Sequence, residues 1–217
     1  MDIKCCLFDL DGTLLDTRED CLTVNKYILE RYQLQPMPPQ ESIRLAAAGR
    51  REYMEAFFAN TPGAVYDDAL VDRAVKESIE FYLEHIADHT RPFPGVEKTL
   101  QELKQRNIRL GAVTNKYIDL TTKLFDVLNF TQYFDLIAGD NDTMPLKPNP
   151  DMLVDAMQKL QCSPGNTLMI GDNYSDLGAA RQAGIKSVFV TYGYGTVMNE
   201  KPDFTINCFE ELKALLI

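Results

Sequence analysis

The 217-residue sequence predicts an α/β fold, with an open parallel sheet covered by helices on both faces and a helical segment inserted near its start. Two patterns carry this reading. Short apolar runs alternate with longer stretches whose apolar residues recur every three or four positions, which is the signature of repeated βα units. That alternation stops between residues 16 and 90, where helical periodicity continues without a convincing strand.

Residues 5–8, 110–113, 136–138, 168–170 and 188–190 read as strands, because short, continuously apolar runs suit a sheet buried on both faces. Residues 95–106, 118–129, 150–161 and 174–183 read as the helices between them. In the insertion, Val71, Val75, Ile79, Tyr82 and Ile86 follow one helical face, and Tyr53, Phe57 and Phe58 a shorter one. Thr17 followed by Asp20 has the spacing of a capping box opening the first inserted helix. The run Arg91-Pro92-Phe93-Pro94-Gly95 is unsuited to helix and closes the segment, so the insertion is expected to hang from the sheet by two linkers. The expected organisation is a Rossmann-like parallel sheet core formed by residues 1–16 and 91–217, with residues 17–90 as an inserted helical cap domain. Ligands of such a sheet sit beyond the carboxyl ends of its strands.

Composition bounds the partners. With 22 basic and 32 acidic side chains the net charge is −10, which disfavours a nucleic-acid backbone or an anionic membrane surface. No apolar run approaches the roughly 20 residues of a membrane helix. The expectation is a cytoplasmic protein, monomer or homodimer, in which any anionic ligand is met by a locally arranged site. Five scattered cysteines without a C-x-x-C pair point to reduced, mostly buried thiols rather than zinc sites or disulfides.

Polar punctuation recurs at the strand ends. The first strand runs into Asp9-Leu10-Asp11-Gly12-Thr13, two carboxylates two residues apart, followed by a turn-permitting glycine and a hydroxyl. Neighbouring carboxylates repel unless they share a cation or a proton, and a divalent metal relieves that repulsion. The next strand ends in Thr114-Asn115-Lys116. Lys147 precedes the proline that opens a later helix, and Gly171-Asp172-Asn173-Tyr174-Ser175-Asp176 follows another strand. Each has a mundane alternative, with Thr114 as a helix cap, Lys147 as a solvated charge, and Asp172 and Asp176 as acids of a helix N-terminus. Together, four strand ends on one sheet edge converge on an acidic pocket that carries a cation.

These residues resemble the four motifs of the haloacid dehalogenase-like hydrolase superfamily, in order and over nearly the whole chain: Asp9 to Thr13, Thr114, Lys147, and Gly171-Asp172 with Asp176. The insertion after the first motif, Thr114-Asn115-Lys116 and Pro92 to Val96 are similar to the phosphoglycolate phosphatase-like branch. The resemblance implies a Mg²⁺-dependent phosphatase of small phosphomonoesters, with Asp9 as the nucleophile that becomes an aspartyl-phosphate. It implies Asp11 as general acid and base, with Lys147 and Thr114 holding the phosphoryl group. Asp9, the Asp11 carbonyl and Asp172 are the implied metal ligands, with Asp176 behind them. Substrate contacts are implied for Gly12, Thr13, Asn115 and Lys116.

Specificity is expected from the cap. Ala48-Gly49-Arg50-Arg51 is expected between two cap helices, with Arg50 as a substrate contact, although two solvated arginines on a helix face would read the same way. Arg51-Glu52 departs from the second glycine that relatives acting on phosphoglycolate often carry there. The alternatives that stay open are a sugar phosphomutase of the β-phosphoglucomutase type, an inorganic pyrophosphatase or nucleotidase, a phospho-aspartate signalling or binding module, and a decayed, purely structural site. Asp11 argues against the signalling module, which needs a long-lived phosphoryl group. It also argues against a dehalogenase, whose substrate needs no protonated leaving group.

Overall fold

A computed structural model of the chain describes residues 2–38, 41, 42, 45 and 48–216. The core strands are β1 (Cys5–Phe8), β4 (Arg109–Tyr117), β5 (Leu136–Asp140), β6 (Thr167–Gly171), β7 (Lys186–Val190) and β8 (Phe204–Ile206). They form one parallel sheet in the order β5-β4-β1-β6-β7-β8. Strand β1 is central, with Phe8 level with Ala112 of β4 and Ile170 of β6. All four β1 residues are fully buried, which explains why the run has no polar alternation.

Each face of β1 meets a separate apolar layer. Cys6 and Phe8 point into a cluster with Leu100 and Leu103 of helix α4 (Val96–Gln105) and Leu120, Leu124 and Phe125 of α5 (Ile118–Val127). Cys5 and Leu7 face α6 (Asp151–Lys159) and α7 (Tyr174–Ala183) through Leu153, Ala156, Met157, Ala179 and Ala180. All five cysteines are free, two of them buried and Cys208 exposed.

Between β1 and α4 the chain forms α1 (Arg18–Tyr32), α2 (Arg50–Ala59) and α3 (Asp68–Glu84), packed around Ile28, Met54, Phe57, Phe58, Val71 and Val75. Asp67 caps α3 by accepting from the Leu70 amide. The expected stripe holds through Tyr82. Ile86 is buried as expected but lies past the end of the helix.

Three features depart from expectation. The two linkers pair as an antiparallel ribbon of β2 (Leu15–Asp16) and β3 (Arg91–Pro92), each too short for any periodicity to show. The edge strand β8 and the following short helix α8 (Leu212–Leu215) were not expected, and Phe209 and Leu212 of that terminus plug the core. Finally, Thr17 makes no side-chain cap of α1. Its hydroxyl donates to Asp11 at 2.7 Å, and Asp20 turns instead to the returning linker.

Asp20 is 2% exposed and accepts from the amides of His89 and Thr90 and from the Thr90 hydroxyl, at 3.0, 2.9 and 2.5 Å. It staples the outgoing and returning chains beside the ribbon. Asp20→Ala leaves buried donors without partners and should cost about 3 kcal/mol in urea denaturation. A loss under about 0.5 kcal/mol, the range of an ordinary surface substitution, would show that the staple carries no load.

Candidate active site

The central strand delivers Asp9 to the carboxyl edge of the sheet, where its amide continues the β1–β6 ladder by donating to the Ile170 carbonyl at 2.9 Å. The chain then turns sharply, and the amides of Thr13, Leu14 and Leu15 all donate to the Leu10 carbonyl. Gly12 is required in this turn. Its φ is +83°, and a Cβ there would lie 2.3 Å from Asp172 Oδ2.

Thr114, Asn115 and Lys116 occupy a register irregularity of β4 against β5, between Val113 and Tyr117. Such a bulge breaks the simple up-down alternation and re-aims side chains. Close approach of the bulge explains Gly139 on β5, where a Cβ would lie 2.7 Å from the Lys116 carbonyl oxygen.

Lys147 lies at the centre and is 2% exposed. Its Nζ donates to Asp9 Oδ1 at 2.8 Å, Asp176 Oδ1 at 2.6 Å and the Val113 carbonyl at 2.7 Å. Burial alone would lower the lysine pKa, but the charges of Asp176 and Asp9 outweigh it and hold the ammonium above its ordinary range. The Asn115 side chain splints the Lys147 backbone, donating to its carbonyl at 2.8 Å and accepting from its amide at 2.9 Å. The sequence reading expected a substrate contact from Asn115 and did not foresee this splint. Thr114 is buried, and its hydroxyl oxygen accepts from the Lys116 amide at 3.3 Å.

Asp9, Asp172 and Asp176 each place a carboxylate oxygen within 4.8 Å of the others, and all three are buried. Asp172 Oδ2 accepts from the amides of Tyr194 and Gly195 at 3.0 and 2.8 Å, and Oδ1 faces the Thr13 hydroxyl at 3.3 Å. Asp176 has both oxygens engaged, one with Lys147 and the other with the Asn173 amide in a capping box that opens α7. Burial, then the charges of Asp9 and Asp176, push the Asp172 carboxyl up to about 8 despite the two amides. Three carboxylates against one ammonium leave an excess of negative charge in hard oxygen donors, a set that suits a hard divalent cation such as Mg²⁺.

Asp11 is not one of the three clustered carboxylates. Its carboxylate accepts from Lys116 Nζ, at 3.0 Å to each oxygen, and from Thr17. Arg50 is the first residue of α2 rather than part of a loop between helices. Its guanidinium points inward, with Nε on Ser78 Oγ at 3.0 Å and Nη1 on Asn25 Oδ1 at 3.3 Å, while Nη2 is buried without a hydrogen-bond partner among the described residues. Burial lowers the pKa of Arg50, and its charge reaches Lys116. Arg51 instead bridges Asp68 and Asp72 on the surface. The expectation of two solvated arginines therefore fails for Arg50 and holds for Arg51.

Sequence reading missed the loop after β7. Besides the amides of Tyr194 and Gly195, it supplies the Tyr192 hydroxyl to the Thr13 carbonyl at 2.8 Å and the Tyr194 hydroxyl to Thr17 at 2.7 Å. The run Thr191-Tyr192-Gly193-Tyr194-Gly195 after an apolar strand was a fifth polar strand end and could have been read as one.

Residues 6–190 match the family model described as haloacid dehalogenase-like hydrolase. The chain is 31% identical over 210 residues to a phosphoglycolate phosphatase of Aquifex aeolicus, covering 97% of this chain and 95% of that protein. The structure superposes on that of a predicted phosphoglycolate phosphatase from Haemophilus somnus with a TM-score of 0.90 at 22% identity, covering 100% and 99% of the two chains. It superposes on a β-phosphoglucomutase from Clostridium difficile with a TM-score of 0.81 at 22% identity, covering 98% and 96%. With the acidic strand ends gathered around Lys147 and a match that spans most of its length, the chain belongs to the haloacid dehalogenase-like hydrolase family.

Proposed function

We propose that the chain is a Mg²⁺-dependent phosphatase of small, phosphoglycolate-like phosphomonoesters, working through an aspartyl-phosphate on Asp9 with residues 17–90 as its cap. The observation that carries this reading is the setting of Asp9, held by Lys147 beside Asp172 at the mouth of the central strand. Asp9, Asp172 and the Asp11 carbonyl are the proposed metal ligands, and Mg²⁺ bound there supplies neutralisation of the phosphoryl charge.

Asp9 attacks phosphorus in line, and the bond from phosphorus to the leaving oxygen breaks as Asp11 gives that oxygen a proton. Asp11 then takes a proton from water, which attacks the aspartyl-phosphate and releases inorganic phosphate with Asp9 restored. Lys147 fixes the attacking carboxylate, and Thr114 with the Asn115 amide donates to the transferring group. Gly12 and Thr13 shape the turn around it. The coarser conclusion, a hydrolase of this family, does not depend on those assignments.

Arg50 supports an anionic group on the substrate. Among the described residues its hydrogen-bond partners are both neutral and one buried nitrogen has none, which suits the guanidinium to receive a carboxylate from the leaving group.

Asp9→Asn should lower turnover by at least about 10⁴-fold, and Asp11→Asn by about 10²- to 10⁴-fold on alkyl phosphates, with circular dichroism unchanged. Near-normal phosphate release by Asp9→Asn contradicts the mechanism, and a requirement for a sugar bisphosphate without phosphate release would select a mutase. Arg50→Ala should raise KM for phosphoglycolate about 10- to 100-fold, the worth of one charged hydrogen bond. An unchanged KM would remove Arg50 from the binding site.

Metal binding has a readout apart from activity. Because the Asp172 pKa is raised from 3.8 to about 8, the metal-free folded protein binds more protons than the unfolded chain between those values. Its stability therefore falls as pH rises across that window. Mg²⁺ competes with the proton, so it should raise Tm of EDTA-treated protein more at about pH 8 than at about pH 6. Equal or absent stabilisation at the two values would contradict a metal at this cluster.

A further inference from the structure

The proposed proton donor is held by a contact that crosses from the sheet to the insertion. Lys116 Nζ donates to both oxygens of Asp11 at 3.0 Å and to the Tyr82 hydroxyl at 3.1 Å, and it lies 4.5 Å from the centroid of the Tyr82 ring. Lys116 comes from the bulged end of β4, and Tyr82 from α3 of the insertion. The Lys116 side chain is 6% exposed, and that of Asp11 is 29% exposed. Lysine normally carries a mobile, strongly hydrated ammonium on a flexible stem. Here the ammonium is shielded from water and engaged on one side by the acid and on the other by a cap tyrosine.

Thr17, at the start of the insertion, holds the same carboxylate from another direction. The Asp11 carboxyl is thus oriented by groups whose relative position depends on where the insertion sits over the sheet.

We propose that Lys116 and Tyr82 are positioning residues for Asp11. Lys116 aims the carboxyl, and Tyr82 fixes Lys116 when α3 lies over the core, so proton transfer to the leaving oxygen depends on cap placement. The inference rests on the assignment of Asp11 as the proton donor.

The test uses leaving groups of different basicity. An alkoxide leaving from phosphoglycolate or glycerol phosphate needs a proton, whereas acetate leaving from acetyl phosphate does not. The rate of Asp9 phosphorylation by all three, which unlike the later hydrolysis depends on the leaving group, would be measured by rapid quench together with steady-state KM in the full-length Mg²⁺-loaded enzyme and in Asp11→Asn, Lys116→Met and Tyr82→Phe. Lys116→Met should slow phosphoenzyme formation about 10²-fold with the two alkyl phosphates, and Tyr82→Phe about tenfold, with losses on acetyl phosphate several times smaller and KM within about threefold. Equal losses on both substrate classes, or a loss confined to KM, would overturn the proposal and make Lys116 a substrate-binding cation. Asp11→Asn separates the premise from the inference. If it shows no dependence on the leaving group, the proposal falls with its premise; if it does and the other two variants do not, the positioning role alone falls. Tyr82→Phe removes a single oxygen, so its pattern decides the matter should Lys116→Met fail to fold.

Discussion

One ammonium group ties the site together. The three short contacts of Lys147 Nζ reach three separate parts of the chain: Asp9 at the end of β1, the Val113 carbonyl on β4 and Asp176 in the first turn of α7. In a buried setting such a group is costly unless each donor is matched, and removing one member of a buried ion pair costs about 3–5 kcal/mol. The crossing contacts also set the spacing of the carboxylates. Without the ammonium, Asp9 and Asp176 would face each other as uncompensated charges. The Asn115 splint on the Lys147 backbone extends the same constraint to the bulge of β4.

The remaining charge explains the division of labour. Of the three carboxylates, Lys147 pairs only with Asp9 and Asp176, and the raised pKa of Asp172 reflects its burial and then the charges of those two acids. A dication held by Asp9 and Asp172 would relieve the crowding and make the crevice tolerable for a phosphate. The opposite excess lies on the insertion side, where Arg50 has only neutral hydrogen-bond partners among the described residues. On the proposed function, the strand ends would take the phosphoryl group and the insertion an anionic leaving group. Asp11 stands between them, bound to both through Lys116 and Thr17.

Much of this was legible in the sequence because it is written in short-range patterns. Buried parallel strands are apolar without alternation, and polar residues follow them where the chain leaves the sheet, so Asp9, Thr114, Lys147 and Asp172 could be placed at one edge before any coordinates. What escaped was set by partners distant in sequence. Thr17 and Asp20 have the spacing of a capping box, yet one bonds Asp11 and the other bonds the linker about seventy residues away. The two-residue strands of the ribbon carry no periodicity. The inward turn of Arg50 and the outward turn of Arg51 differ by one residue on the same helix, and only Asn25, Ser78, Asp68 and Asp72 decide which is which. Cap helices built from ordinary amphipathic patterns likewise gave no sign that Tyr82 would reach Lys116.

The central claim is that Asp9 carries phosphorus during turnover. The direct measurement is acid quenching of the Mg²⁺-loaded enzyme within its first turnover on acetyl phosphate, followed by peptide mass spectrometry. Phosphate that is labile to hydroxylamine should be found on the peptide containing Asp9, and fragmentation should place it there rather than on Asp11. Steady turnover with phosphate on a different residue, or with no phosphorylated peptide at any quench time, would contradict it.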